Sequence, residues 1–196
     1  MRLRFILALI GFIAAGCSGA AQRPDSQSAN STQPNYQIVA RNEFRDGTEM
    51  TVVALNPIEI AMQDHSGATG DMTSMFAYET AKRVVSAVTI SFHSESPKCR
   101  FPQQAEATFF LDGEQFRIRE NNEAASKEQG AAYSFSEPYS GGCKESLTMI
   151  VPVARFRQIS SAQKVIVQFG DLKFDLRQSH LMALRDLAVR IGTVGN

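Results

Sequence analysis

Three cysteines, three histidines and one cluster of aromatics are the side chains of this chain that could carry chemistry or recognition. Cys17, Cys99 and Cys143 are far apart, and no CxxC spacing marks a redox motif or a zinc ribbon. His65 lies between Asp64 and Asp71 in a polar stretch, but a calcium loop needs a regular run of oxygen ligands that this spacing does not supply. His93 ends an alternating apolar run beside Glu95, and His180 reads as an ordinary surface histidine in the first turn of a helix. No Gly-x-Ser-x-Gly elbow is present. Ser140-Gly141-Gly142 leads into no helix with Lys-Ser or Lys-Thr, so it is not a phosphate cradle. Carboxylates such as Glu43 and Asp46 are too local for a glycosidase pair. These residues assign no catalytic group, no metal site and no cofactor.

The aromatics are more informative. Tyr133, Phe135 and Tyr139 stand in a stretch, 121–144, that is otherwise polar and poor in aliphatics. Read as a long surface loop, it uses these rings in one of two ways: to fasten itself to the core, or to contact a partner, since tyrosine joins rigid area to a polar tip. Arg117 and Arg119, on the outward side of a neighbouring hairpin, extend the candidate partner-binding surface.

The start of the chain says where these residues work. Arg2 and Arg4 precede 11 apolar or small residues, Phe5 to Ala15. That run is shorter than the about 20 residues a membrane-crossing helix needs, and it has the layout of a secretion signal. It ends Ile13-Ala14-Ala15-Gly16-Cys17-Ser18. Residues 1–18 resemble the lipobox of bacterial lipoproteins, with Ala14 in place of the usual leucine. The resemblance implies cleavage of a 1–16 signal peptide, a diacylglycerol (with palmitate-type acylation) on Cys17, and a membrane anchor. Ser18 in place of aspartate implies the outer membrane, periplasmic face, or the plasma membrane where there is no outer one. Gly19-Ala20-Ala21 leaves the alternative of an ordinary soluble exported protein. With Cys17 acylated outside the cytoplasm, Cys99 and Cys143 are an even pair in an oxidising compartment, and a disulfide is expected.

Residues 17–34 lack any large apolar side chain and read as a flexible tether. Residues 35–196 are a single globular domain by length. The full chain holds 20 basic and 20 acidic residues; loss of Arg2 and Arg4 leaves a net charge of −2. No basic patch favours nucleic acid.

Within the domain, strands are predicted at 36–44 and 49–55 around Asp46-Gly47, with alternation resuming over 58–62. A loop is predicted at 65–74. A strand spans 84–93, with Val84, Ser86, Val88, Ile90 and Phe92 on one face. A hairpin covers 105–120 around Asp112-Gly113, pairing Phe109 with Phe116 and Ala107 with Ile118. A strand over 147–153, a short helix over 155–163 and a second hairpin over 164–177 follow. The chain closes with an amphipathic helix, 179–191, capped by Ser179, with Leu181, Leu184, Leu187, Ala188 and Ile191 inward and Arg185 and Arg190 outward. The fold class is α+β: a mainly antiparallel sheet of hairpins with the terminal helix on one face. The function expected is a non-enzymatic binding or scaffolding module for another envelope component. The alternatives are a carrier with an apolar cavity lined by Phe109, Phe116, Phe174 and Leu184, and a hydrolase in which His65 or His93 meets a carboxylate.

Overall fold

A computed structural model describes residues 35–61, 69–102, 104–120, 130–170 and 172–194. Cys17, the signal, the tether through residue 34, Asp64 and His65 lie outside them. Ten strands and two helices follow in chain order among the described residues: β1 (Ile38–Arg45), β2 (Thr48–Glu59), β3 (Thr69–Glu79), β4 (Ala87–Ser96), β5 (Glu106–Leu111), β6 (Glu114–Arg119), β7 (Ala131–Tyr139), β8 (Gly142–Pro152), α1 (Val153–Ser161), β9 (Val165–Phe169), β10 (Leu172–Leu176) and α2 (Gln178–Val194). Every strand pairing is antiparallel. A six-stranded sheet runs β1-β2-β3-β4-β8-β7 and a four-stranded sheet runs β10-β9-β5-β6. The chain is α+β, mainly antiparallel sheet with the terminal helix packed against it.

Local chemistry sets the hairpins. Asp46 and Gly47 turn β1 into β2 with φ of 49° and 77°, and Asp112 and Gly113 turn β5 into β6 with 49° and 101°. Positive φ at both central residues matches the right-handed twist of the arms, and aspartate and glycine tolerate it best. The predicted partners hold: Phe109 faces Phe116 and Ala107 faces Ile118. Asp112 then accepts the amides of Gln163 and Lys164, fixing the link from α1 to β9.

The core is common to both sheets and both helices. Phe92 on β4 meets Phe174 on β10 at 5.8 Å and Phe169 on β9 at 6.0 Å between ring centroids. Phe101 closes edge-on against Phe169 at 4.7 Å. Leu181, Leu184, Leu187 and Ile191 of α2 are buried, as their spacing predicts.

Several expectations need correction. The supposed loop at 121–144 holds the whole of β7 and the start of β8, joined by a tight turn; residues 121–129 lie outside the described set. Aliphatics are absent there because one face of β7 is open, and an antiparallel sheet can present such a face to water. Likewise 69–74, read as loop, is the first half of β3, which continues as strand to Glu79. β4 begins at Ala87, so Val84 lies outside it and is exposed. The helix α2 starts at Gln178, which puts Ser179 inside the first turn instead of at the cap.

His180 is not a surface residue. It is 1% exposed. Its Nδ1 accepts the Arg177 amide at 2.9 Å, so Nε2 carries the proton and donates to the Glu59 carbonyl at the end of β2, also at 2.9 Å. Arg185 does not point outward either. Its guanidinium donates to the Ser160 and Ala162 carbonyls at 2.9 and 2.8 Å, satisfying acceptors that the end of α1 leaves open.

Tyr36, ahead of β1, donates its hydroxyl to Asp186 on α2. Partial burial, and then this hydrogen bond, push its pKa from 10.0 to about 12. The raised value means that the folded state favours the neutral phenol. Its stabilisation is therefore complete below pH 10.0 and lost as the pH climbs to about 12. Urea unfolding of the wild type and Tyr36→Phe should differ below that window and converge through it. A difference independent of alkaline pH would dismiss the coupling.

Candidate functional site

Strand register decides which side chains meet. On the face of the six-stranded sheet turned away from the core, Glu59 lies opposite Asp71, Asp71 opposite His93, His93 opposite Ser146, and Ser146 opposite Phe135. One row therefore crosses β2, β3, β4, β8 and β7. Directly opposed residues hold their Cβ atoms about 5 Å apart. A second row reads Thr69, Glu95, Lys144 and Glu137. The two rows border a concavity of about 570 Å³ whose lining includes Glu59, Asp71, His93, Glu95, Phe135 and Lys144.

The aromatic residues belong to this face. Tyr133, Phe135 and Tyr139 share one side of β7, the outermost strand, and are 45%, 61% and 42% exposed. Tyr139 is held in place. Its hydroxyl donates to Glu95 Oε1, and the Lys144 ammonium sits 5.7 Å from its ring centre. That hydrogen bond, with a smaller contribution from desolvation, raises the Tyr139 pKa above its usual value.

Charge on this face is lopsided. Glu59, Asp71, Glu95 and Glu137 stand against Lys144 in the two rows. Among the described residues, Asp71 Oδ1 is enclosed without a hydrogen-bond partner. An ionised carboxylate only accepts, so this oxygen lacks the donor that would offset its desolvation.

Arg117 and Arg119 are not part of this surface. They lie on β6, in the four-stranded sheet, on the side away from Ile118 and the core. Both turn to Glu106, Arg119 at 3.0 Å and Arg117 at 3.6 Å. The aromatics and the arginines thus look outward from two different sheets.

The chain matches no known family model, no curated protein sequence and no solved structure.

Cys99 and Cys143 form a disulfide with a Cα–Cα distance of 5.1 Å, tying the β4–β5 link to the start of β8. Glu145 stands beside it, 3% exposed. Its Oε1 accepts the amides of Arg100 and Phe101 at 2.7 and 2.6 Å. Cys99, Cys143 and Glu145 are close enough to suggest metal ligands, but the two sulfurs are bonded to each other and offer no thiolate. The cluster positions the turn that delivers Phe101 to the core.

Two other arrangements were expected as alternatives. Phe109, Phe174 and Leu184, expected to line a cavity, are fully enclosed residues of the core, with Phe109 stacked on Phe116 at 5.0 Å and Phe174 on Phe169 at 4.8 Å. His93 has Asp71 and Ser146 as its row neighbours, yet no hydrogen bond links the three among the described residues.

Sequence reasoning missed Glu59, Lys144, Glu145 and Ser146. For Lys144 and Ser146 the signal was the alternation through 142–152, in which Lys144, Ser146 and Thr148 interleave with Cys143, Leu147, Met149 and Val151.

Proposed function

We propose that this chain is an exported lipoprotein, acylated on Cys17 and held at the outer membrane, whose domain is a non-enzymatic binding module for another envelope component. The observation that carries the binding reading is the open sheet face: Tyr133 and Phe135 are exposed on the outermost strand, beside a concavity that holds unbalanced carboxylates. Large rings on a rigid strand give contact area with little ordering cost, and recognition surfaces concentrate their affinity in such anchors. The segment 17–34 gives the domain reach from a lipid anchor.

The anchor and the surface are tested separately. Metabolic labelling with a radioactive fatty acid should mark the wild type, and Cys17→Ala should lose both label and membrane sedimentation. A photo-crosslinking residue placed at Phe135 in intact cells should give a discrete adduct. The combined substitution Tyr133→Ala, Phe135→Ala, Tyr139→Ala should weaken partner affinity about a hundredfold while leaving thermal melting nearly unchanged. An adduct pattern that is diffuse, or affinity unchanged in the triple variant, refutes the surface.

A further inference from the structure

We propose that β1 is a self-association edge: a second copy of this chain lays its own β1 antiparallel beside it, about a two-fold axis at Asn42, and the two six-stranded sheets become one. This edge is at the opposite margin of the sheet from β7, away from the surface assigned to the binding module.

The backbone offers the edge. β1 is 8 residues long and pairs only with β2 among the described residues. The Asn56 amide donates to the Gln37 carbonyl at 2.9 Å. Hydrogen-bonded pairs alternate along an antiparallel ladder, so the odd-numbered residues of β1 turn their backbone groups to β2. Ile38, Ala40, Asn42 and Phe44 turn theirs to the free side. Such a row templates another strand unless something blocks it. The register of β1 with β2 runs unbroken and the strand holds no proline, whereas β7, at the other margin, is approached by the bridge from Glu120 to Ala132.

The side chains choose the occupant. Charges of one sign along an edge repel a like edge, but Arg41, Glu43 and Arg45 alternate in sign on the face turned away from the core. An axis at Asn42 sets Arg41 opposite Glu43 of the second copy, and Glu43 opposite its Arg41. These are non-hydrogen-bonded pairs, where opposed side chains come closest. Moving the axis by one residue opposes Arg41 to Arg41 or Glu43 to Glu43, so charge fixes the register. Arg41 meets its own Glu43 through Nε at 2.6 Å, which lets its two terminal nitrogens reach across the axis.

The same register covers Phe44. At 78% it is the most exposed large apolar side chain among the described residues. It comes opposite Ala40 of the second copy and diagonal to Ile38 there. Beside these residues a cleft of about 440 Å³, lined by Ile38 and Val189 among others, opens between the start of β1 and α2. The second copy's phenylalanine thus meets an apolar recess at the edge, as an interface anchor does.

The test uses the full chain in detergent, with micelles in excess over protein. Asn42→Cys places two thiols on the axis, where the Cα atoms of a hydrogen-bonded pair are about 5.5 Å apart, within the span of a disulfide. Mild oxidation should trap a covalent dimer, while Gln115→Cys on β6 stays monomeric. Sedimentation equilibrium should show Arg41→Glu and Glu43→Arg each weakening the dimer about tenfold, and the two together restoring it. Asn42→Pro removes an amide that faces outward, so it spares the ladder with β2 but should abolish the dimer. Asn42→Ala loses the same side-chain bonds to Glu49 and Thr51 yet keeps the amide, and should still dimerise. If Asn42→Pro lowers the melting temperature, the charge reversals, which leave the backbone intact, decide the matter. Equal crosslinking at positions 42 and 115, a combined reversal that fails to restore association, or a dimer that survives in a fully folded Asn42→Pro would overturn the two-fold pairing.

Discussion

Phe92→Ala will cost the domain about 4 kcal/mol and lower its melting temperature by about 8–16 °C. Phe92 is 1% exposed at the middle of β4, and its ring is where the six-stranded sheet meets Phe169 and Phe174 of the four-stranded sheet. Removing it leaves a cavity bordered by two other phenylalanines whose positions are set by paired strands, so the site cannot collapse easily. The ring–ring attraction that vanishes with it adds to the transfer cost. Phe92→Leu retains most of the volume and should cost about 1–2 kcal/mol. Urea denaturation of the two variants checks the order. A loss under about 1 kcal/mol for alanine, below the range for emptying a shared core, would mean that the two sheets do not meet here.

The second large effect belongs to the disulfide. Replacing Cys99 and Cys143 together by serine should destabilise by about 4 kcal/mol, because the bridge joins residues 44 apart in sequence and so restricts a long loop in the unfolded chain. The loss need not be uniform. The bridge and the Glu145 carboxylate hold the same turn, one from Cys99 and the other through the amides of Arg100 and Phe101. With the bridge gone, Glu145 still holds the amides of Arg100 and Phe101, so hydrogen exchange should rise first around residues 97–99 and the β7–β8 turn before β4 is affected. Cys99 is exposed and Cys143 is buried, so a reductant meets the bridge from the Cys99 side. Melting temperatures that agree with and without reductant would remove the bridge from the account of stability.

Elements whose sequence alternates between water and core were readable in advance. Residues 106–119 declare their turn, their register and their buried face through Asp112-Gly113 and the spacing of Ala107, Phe109, Phe116 and Ile118. The stripe on α2 is equally direct. What could not be read was the destination of each hairpin. Nothing in β5 or β6 states that they leave for a second sheet while β8 inserts beside β4, because strand order depends on long-range packing. β7 was misread for a different reason. Its one-sided exposure removes the aliphatic signature, and its buried residues, Ala131 and Ala132, are small. His180 shows a third case: a buried imidazole satisfied by two backbone groups looks, in sequence, like any polar residue at a helix start. The row of Glu59, Asp71, His93 and Ser146 draws one residue from each of four strands and required the register to be known.

The insertion of β8 between β4 and β7 has a consequence for how the chain is handled before it is finished. A polypeptide emerging from its amino end completes β1 to β4 early, yet one long margin of β4 stays without its neighbour until Pro152 has been made. During that interval Val88, Ile90 and Phe92 lie beside unsatisfied amides and carbonyls, the combination that templates intermolecular ladders. The molecule is most vulnerable to clumping as a nascent fragment. Any holdase that escorts it has its most valuable grip on Ala87–Ser96, and must let go when residues 142–152 arrive to close the gap.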